Sequence, residues 1–370
     1  QSGRIAGGIA LATLAFSLAT AVAVFDTTYN AQLLVDAQLT NGADVTVTGT
    51  SAAPAGDRLE EIRKAPGVVA AEAMQHRFAY VGNDLQDLYG IDPGTIGHAT
   101  TIADAYFGNR DARATLDRLA KTPDGLLVSQ ETVSDFQLTV GDLIKLRLQN
   151  AADNQYRTIA FHFIGVVTEF PTAPHDSFLV ANASYVAAQT GNSHSEVVLV
   201  RSRSDPGAVA VAIGKVLGTE SPLKVTELSQ AARLIGSTLT AVDLRKLTAI
   251  ELSFAVLLVA GATGLVLSLG FAERSRAATI LSALGATSAD IRKFAQAEAA
   301  IILIAGAACG FILGEAVAFL LVKVLTGVFD PPPDTLFQPW IYLALVASGA
   351  VLTTIIAVWR SSIRLTGARL

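Results

Sequence analysis

Four stretches of the chain are apolar over the length that crosses a bilayer. A hydrocarbon core of about 30 Å takes about 20 apolar residues in a helix rising about 1.5 Å per residue. Ile5 to Phe25, Leu247 to Phe271, Ala297 to Leu325 and Trp340 to Trp359 meet that length. The last is uncharged and has tryptophan at both ends, where an interfacial aromatic belt sits. The first has only Arg4 ahead of it and small residues near its end, as a cleaved signal segment would. A retained span is the stronger reading.

Between the first two spans the pattern becomes that of a water-soluble α+β domain. A short strand (Asp44 to Thr48), a helix (Asp57 to Lys64) and a strand within Val68 to Val81 are mirrored by strand Glu196 to Arg201, helix Asp205 to Leu217 and strand Leu223 to Glu227. Two β-α-β units of this kind pair into one split sheet with helices on one face. Between them lie the predicted strands Gly125 to Ser129, Asp142 to Leu148 and Arg157 to Phe170, with a short helix over Glu131 to Phe136. Ile144, Leu146 and Leu148 alternate with Lys145 and Arg147, the period of a half-buried strand. From Leu228 the period becomes helical through Ala231, Leu234, Ile235, Leu239 and Val242, which predicts a stalk, or a plain linker helix, running into the second span.

The fold class expected is an α-helical membrane protein with four transmembrane helices plus an external α+β domain. Its layout is a first span at 1–25, an external domain at 26–227, stalk and second span at 228–271, a cytoplasmic loop at 272–296, spans at 297–325 and 340–359, and a tail at 360–370. The external domain divides into a split β-α-β subdomain, 43–82 with 194–227, around a strand-rich insertion at 83–193.

Composition sharpens this. The chain has 370 residues, 51% hydrophobic and 16% charged, with a mean hydropathy of +0.46. That is too apolar for an ordinary soluble enzyme. A net charge of −5 disfavours a nucleic-acid binder relying on a global basic field. The charge is divided: residues 26–246 carry 18 basic and 25 acidic groups, whereas Arg4, Arg274, Arg276, Arg292, Lys293, Arg360, Arg364 and Arg369 flank the spans on one side. Basic residues in short loops stay cytoplasmic, so both ends are read as inside and 26–246 as outside. The loop from Gly327 to Pro339 has no Lys or Arg and carries Asp330 and Asp334. Lys323, near the outer end of a span, can snorkel.

The loop after the second span reads Glu-Arg-Ser-Arg from Glu273 to Arg276, runs to Ala-Leu-Gly-Ala at 283–286, and restarts a helix through Thr287 and Asp290. A helical elbow of this kind suits a docking partner, although a basic loop that only fixes topology has the same charges. Here the chain resembles the FtsX/MacB-like ABC transporter permeases, through Arg274, Arg276, Leu281, Ala283, Leu284, Gly285, Ala286 and Glu298. Gly141 with Asp142 before a strand, and the layout of one span, a large split domain and three closing spans, extend the resemblance to nearly the whole chain. Ala277 and Ser282 depart from the family's Glu and Arg, which points to a weakened or asymmetric ATPase contact. Gly42 to Val47, with no Met at position 1, resembles the second half of the long duplicated permeases, so the chain is expected to belong to a longer polypeptide.

The resemblance implies a MacB-like periplasmic core domain and a multi-pass permease subunit of a bacterial cell membrane. It implies partnership with cytoplasmic nucleotide-binding ATPase subunits and with a second permease half or copy. ATPase contact then falls on Arg274, Arg276, Leu281, Leu284, Gly285, Ala286, Asp290 and Arg292. ATP hydrolysis in the partner would move the external domain, for export or extraction of a substrate. One alternative is a mechanotransmission module that activates an extracytoplasmic cell-wall hydrolase. Another is a membrane-anchored sensor without an ATPase.

No catalytic residues and no cofactor are expected in this chain. It has no P-loop, Gly-x-Ser-x-Gly or His-Glu-x-x-His motif, so ATP and Mg²⁺ belong to the partner. His76, His98, His162, His175 and His194 are scattered without metal-ligand spacing, and Cys309 is the only cysteine. Gly306, Gly310 and Gly314 form a small-residue helix face, for packing within the chain in preference to a dimer seam. Among carboxylates in or near the bilayer, Glu251 lies at an outer, hydrated end and Glu298 within reach of water, Arg292 or Lys293. Glu315, about 26 Å further along the same helix than Glu298, is the one to test first, with water or a polar neighbour preferred to a proton relay.

Overall fold

A computed structural model describes residues 2–173, 177–236, 253, 254, 257, 261, 288–324, 333 and 335–367. The chain divides into two compact units, 33–238 and 1–32 with 239–370. The first is called the α+β unit and the second the helical unit.

Helix α1, Ser2–Asn41, contributes to both. The expected span ends at Phe25, but the helix continues for 16 further residues. Polarity does not break it: Thr27 and Thr28 return their hydroxyls to the carbonyls of Ala23 and Val24, and Asn30 bonds Asp26. The stretch lacks Gly and Pro, the residues that most often stop a helix. It ends at Gly42, whose φ of +85° takes the left-handed turn that closes helices.

The α+β unit follows as β1 (Val45–Thr48), α2 (Leu59–Arg63), β2 (Val68–Val81), β3 (Asp84–Ile91), α3 (Ile96–Ala99), α4 (Ala112–Lys121), β4 (Gly125–Ser129), α5 (Gln130–Phe136), β5 (Leu143–Gln149), β6 (Tyr156–Val167), β7 (Phe178–Asn182), α6 (Ala183–Thr190), β8 (Val197–Ser202), α7 (Pro206–Leu217), β9 (Lys224–Glu227) and α8 (Leu228–Gly236). The split sheet is β2-β8-β1-β9, antiparallel throughout, with Val45 opposite both Val200 and Glu227. β8 buries Val197 and Leu199 in one core and Val198 and Val200 in another, which is why its sequence is a continuous apolar run. Ile62 of α2 and Val209, Ile213 and Leu217 of α7 cover the second of these faces.

The insertion does not form an open sheet. β2 pairs with β3, β3 with β7, β7 with β4, β4 with β6, β6 with β5, and β5 returns to β2, so six strands close on themselves. β2 is 14 residues long and belongs to both parts: Val68 to Met74 lie against β8, and Gln75 to Val81 against β3. Ile144, Leu146 and Leu148 point into the barrel with Leu126, Val128, Phe161, Phe163 and Leu179. The predicted alternation of β5 is therefore the inside and outside of a barrel.

β3 escapes sequence reading because Gln86, only 4% exposed, stands at an inward position. It is tolerated there by a hydrogen bond from the Thr132 hydroxyl at 2.9 Å. The core that takes Val197 and Leu199 of β8 lies outside the barrel, where Tyr89, Phe107, Phe170 and Phe178 pack with Leu39 from the last turn of α1.

In the helical unit, α9 (Ser288–Val324) and α10 (Trp340–Gly367) are long apolar helices that pack with α1 around Ala12, Ala15, Phe16, Ala19, Ile302, Val346 and Ala350. Two helices among the described residues are long and apolar enough to cross a membrane, Ile5–Asn41 and Ala299–Val324, and Trp340–Ile356 is a shorter apolar segment. The second expected span and most of the cytoplasmic loop lie outside the described residues, so four transmembrane helices are an expectation rather than an observation.

Candidate functional site

The three glycines of α9 face α1 directly. A Cβ built on Gly306 would stand 2.5 Å from the Ala12 Cβ, one on Gly310 2.5 Å from the Phe16 Cβ and 2.9 Å from the Thr13 carbonyl oxygen, and one on Gly314 2.5 Å from the Thr20 Cβ and 2.9 Å from the Ser17 oxygen. Real Cβ atoms do not approach this closely, so only glycine lets the two backbones meet over these two turns. The seam lies within one chain. Cys309, one residue before Gly310, is exposed.

At the far end of the seam, α9 meets the segment before α10. Glu315 is half-buried, and its Oε2 accepts a hydrogen bond from Gln338 Nε2 at 2.9 Å. One residue earlier, the Phe337 N–H donates to the Thr28 hydroxyl of α1 at 3.0 Å. Phe311 stacks on Trp340 with ring centroids 6.5 Å apart. The segment is thus held to α1 and to α9 by adjacent residues. Sequence reading names Glu315 but not Thr28, Phe337 or Gln338; the signal available was an amide two residues before Trp340.

Of the residues assigned to ATPase contact, Arg274, Arg276, Leu281, Leu284, Gly285 and Ala286 lie outside the described residues. Asp290 and Arg292 stand in the first turns of α9, whose helix begins at Ser288 and continues through Glu298. Glu251 and His175 also fall outside the described residues.

The described histidines are not brought together. His162 pairs with Asp124 at 2.6 Å, His194 with Asp57 at 2.9 Å, and His76 with Asp87 at 2.5 Å while stacking on Tyr89. Among the described residues no group of His, Cys, Asp or Glu is placed to hold a metal ion. The polar concentration of the α+β unit is instead at the crossing point of β2. There Glu196, 6% exposed, accepts from the His76 N–H at 3.0 Å and faces Arg77 at 3.5 Å, and Arg77 also donates to the His194 carbonyl at 2.7 Å. This arrangement ties the two strand systems together and contains no nucleophile.

Comparison with known proteins places these features. No curated protein matches the chain. Among solved structures, the extracellular domain of the noncanonic ABC-type transporter YknZ from Gram-positive bacteria matches at 14% identity, covering 50% of this chain and 99% of that one, with a TM-score of 0.33. Residues 249–369 match the family model described as FtsX-like permease C-terminal, and that stretch takes in the loop expected to be cytoplasmic, the glycine seam, Glu315 and α10. The C-terminal third of the chain is accordingly similar to the FtsX-like permease C-terminal family.

Proposed function

We propose that the chain is the transmembrane subunit of an ABC transporter, itself non-catalytic, that passes ATP-driven motion from a cytoplasmic ATPase to its α+β unit. The observation that carries this reading is the family match over 249–369, which includes the basic elbow from Glu273 to Lys293. In this reading the elbow docks the ATPase through Arg274, Arg276, Leu281, Leu284, Gly285 and Ala286, with Asp290 and Arg292 at the start of α9. The second apolar run, 247–271, completes a four-span topology, and basic-residue asymmetry puts the α+β unit outside the cell. ATP and Mg²⁺ belong to the partner, and a second permease half or copy completes the complex. The moved unit serves export or extraction of a substrate.

The seam supports this reading in one respect. Motion of α9 imposed at its cytoplasmic end has to be shared by α1, because their backbones touch at Gly306, Gly310 and Gly314. α1 in turn runs unbroken to Leu39, which is buried in the core of the α+β unit.

The test is co-purification of the full chain with an ATP-binding subunit, and its loss on Leu284→Asp. Recovery of the chain with no such subunit rejects the reading. A complex undisturbed by Leu284→Asp rejects the elbow as its docking element.

A further inference from the structure

The turn that meets the end of α1 holds a residue in a conformation that its side chain disfavours. The Ala173 N–H donates to the Phe170 carbonyl at 3.0 Å, which closes a four-residue turn with Pro171 and Thr172 at its centre. Thr172 has a φ of +67°. With proline fixed at negative φ in the first central position, a positive φ in the second makes this a type II turn. That second position calls for glycine or asparagine. Threonine is β-branched and rarely enters the left-handed region, and the Thr172 hydroxyl, which is buried, makes no hydrogen bond among the described residues that would ease it there.

The same residues fit a type I turn without strain. The two types differ by reversal of the central peptide plane: ψ of the first central residue goes from about +120° to about −30°, and φ of the second from about +80° to about −90°. Proline is favoured in the first position of both. The plane that reverses is the one carrying the Thr172 N–H, and that N–H donates to the Leu39 carbonyl at 2.8 Å. In a type I turn it points the other way. The bond to α1 therefore selects the strained turn, and the Thr172 methyl lying over Gly42 adds to the hold. The next peptide plane need not move, so the Thr172 carbonyl keeps its bond from the Tyr89 hydroxyl and anchors the turn in either form.

We propose that the turn at 170–173 is a latch on the end of α1, with two states that differ by the flip of one peptide plane. In the held state the turn is type II and the Thr172 N–H sits on Leu39. In the released state the turn is type I, the backbone strain is gone, and the last turn of α1 is let go. The strain brings the two states closer in free energy than a glycine turn would, so a displacement of α1 that lengthens the Leu39 bond favours release. That such a displacement starts at an ATPase rests on the function proposed above. The latch itself is a property of the α+β unit and is tested without one.

Hydrogen exchange of the full chain in detergent micelles tests it, with Thr172→Gly and Thr172→Asn, whose new residues suit the held turn. In at least one of them the amides around 39–43 should exchange more slowly than in wild type, by about fivefold for the left-handed strain removed. The amides of the barrel strands should keep their rates. If neither variant slows the amides around 39–43, the proposal is overturned. Slowing that the barrel amides share equally also overturns it, because Thr172 would then set the stability of the whole unit and not the hold on α1.

Discussion

The backbone N–H of Thr172 donates to the carbonyl of Leu39 at 2.8 Å. That carbonyl is among the last four of α1, which a helix cannot satisfy from within. Thr172 is held for the purpose at φ +67°, where β-branched residues are rare, and its own carbonyl accepts from the Tyr89 hydroxyl at 3.1 Å. Its methyl lies over Gly42, and Thr100 bonds the Gly42 carbonyl. The end of α1 is thus fixed by contacts from several segments of the α+β unit.

Gly42→Ala should loosen this end. The new methyl would stand 2.3 Å from the Thr172 methyl, on a residue whose φ of +85° already disfavours a side chain. A cost of about 1–3 kcal/mol is expected from such strain. Hydrogen exchange of the full chain should speed up at the amides around 39–43 and 172 while the barrel amides hold. Unchanged exchange at those amides would mean that the helix end is not fixed there.

Gly310→Leu should separate α1 from α9. Its Cβ alone meets Phe16 at 2.5 Å, and overpacking of this sort costs about 1–3 kcal/mol. The same change at Gly349, which has nothing within 4 Å, is the control. Denaturation in detergent micelles should show a loss of stability for the first and little for the second.

Glu196→Ala should be among the most damaging single changes in the α+β unit. It removes the carboxylate facing the Arg77 guanidinium, 14% exposed, which keeps its bond to the His194 carbonyl, and leaves the His76 N–H without its acceptor. Breaking a buried pair from one side costs roughly 3–5 kcal/mol. Removing Glu61 from the exposed Arg58 pair should change thermal stability little by comparison, as is usual at a surface.

Alkaline pH should destabilise the α+β unit through Tyr89. Burial raises this phenol above its ordinary value of 10.0, and the nearby charge of Asp87 adds to the shift. Its stabilising contribution is complete below pH 10.0; above that the unfolded chain ionises first and holds fewer protons than the native one, so stability falls as pH rises. Tyr89→Phe should cost about 1 kcal/mol at neutral pH by losing the bond to Thr172. It should also flatten the alkaline limb of a stability profile followed by tyrosinate absorbance.

The positions of most strands along the chain were legible because burial is written as alternation. β5 shows it residue by residue, and β4 and β8, buried on both faces, show it as unbroken apolar runs. The glycine repeat likewise exposed a helix face, since a period of four residues has a direction on a helix. Closure of the barrel was not legible: it depends on β2 pairing with β5 across some 70 residues of chain, and on a buried Gln86 that mimics a surface position. Gln338 was hidden for a related reason. A polar residue beside a span reads as a solvated flank until its partner, 23 residues away, is found.

The closed strand ring also limits how another protein can bind. Six strands that pair in a circle leave the barrel without an edge strand, which disfavours strand addition over it. In the split sheet the first half of β2 has its Ala71 carbonyl taken by the Arg63 guanidinium at 3.0 Å. β9 remains as the outer margin, four residues long and bearing Lys224 and Glu227. Side chains on the outer face of the barrel then carry most of its recognition, and among the described residues β9 is the short, charged outer strand of the split sheet on which a continuous β-structure with a partner, or with another copy during misassembly, can grow.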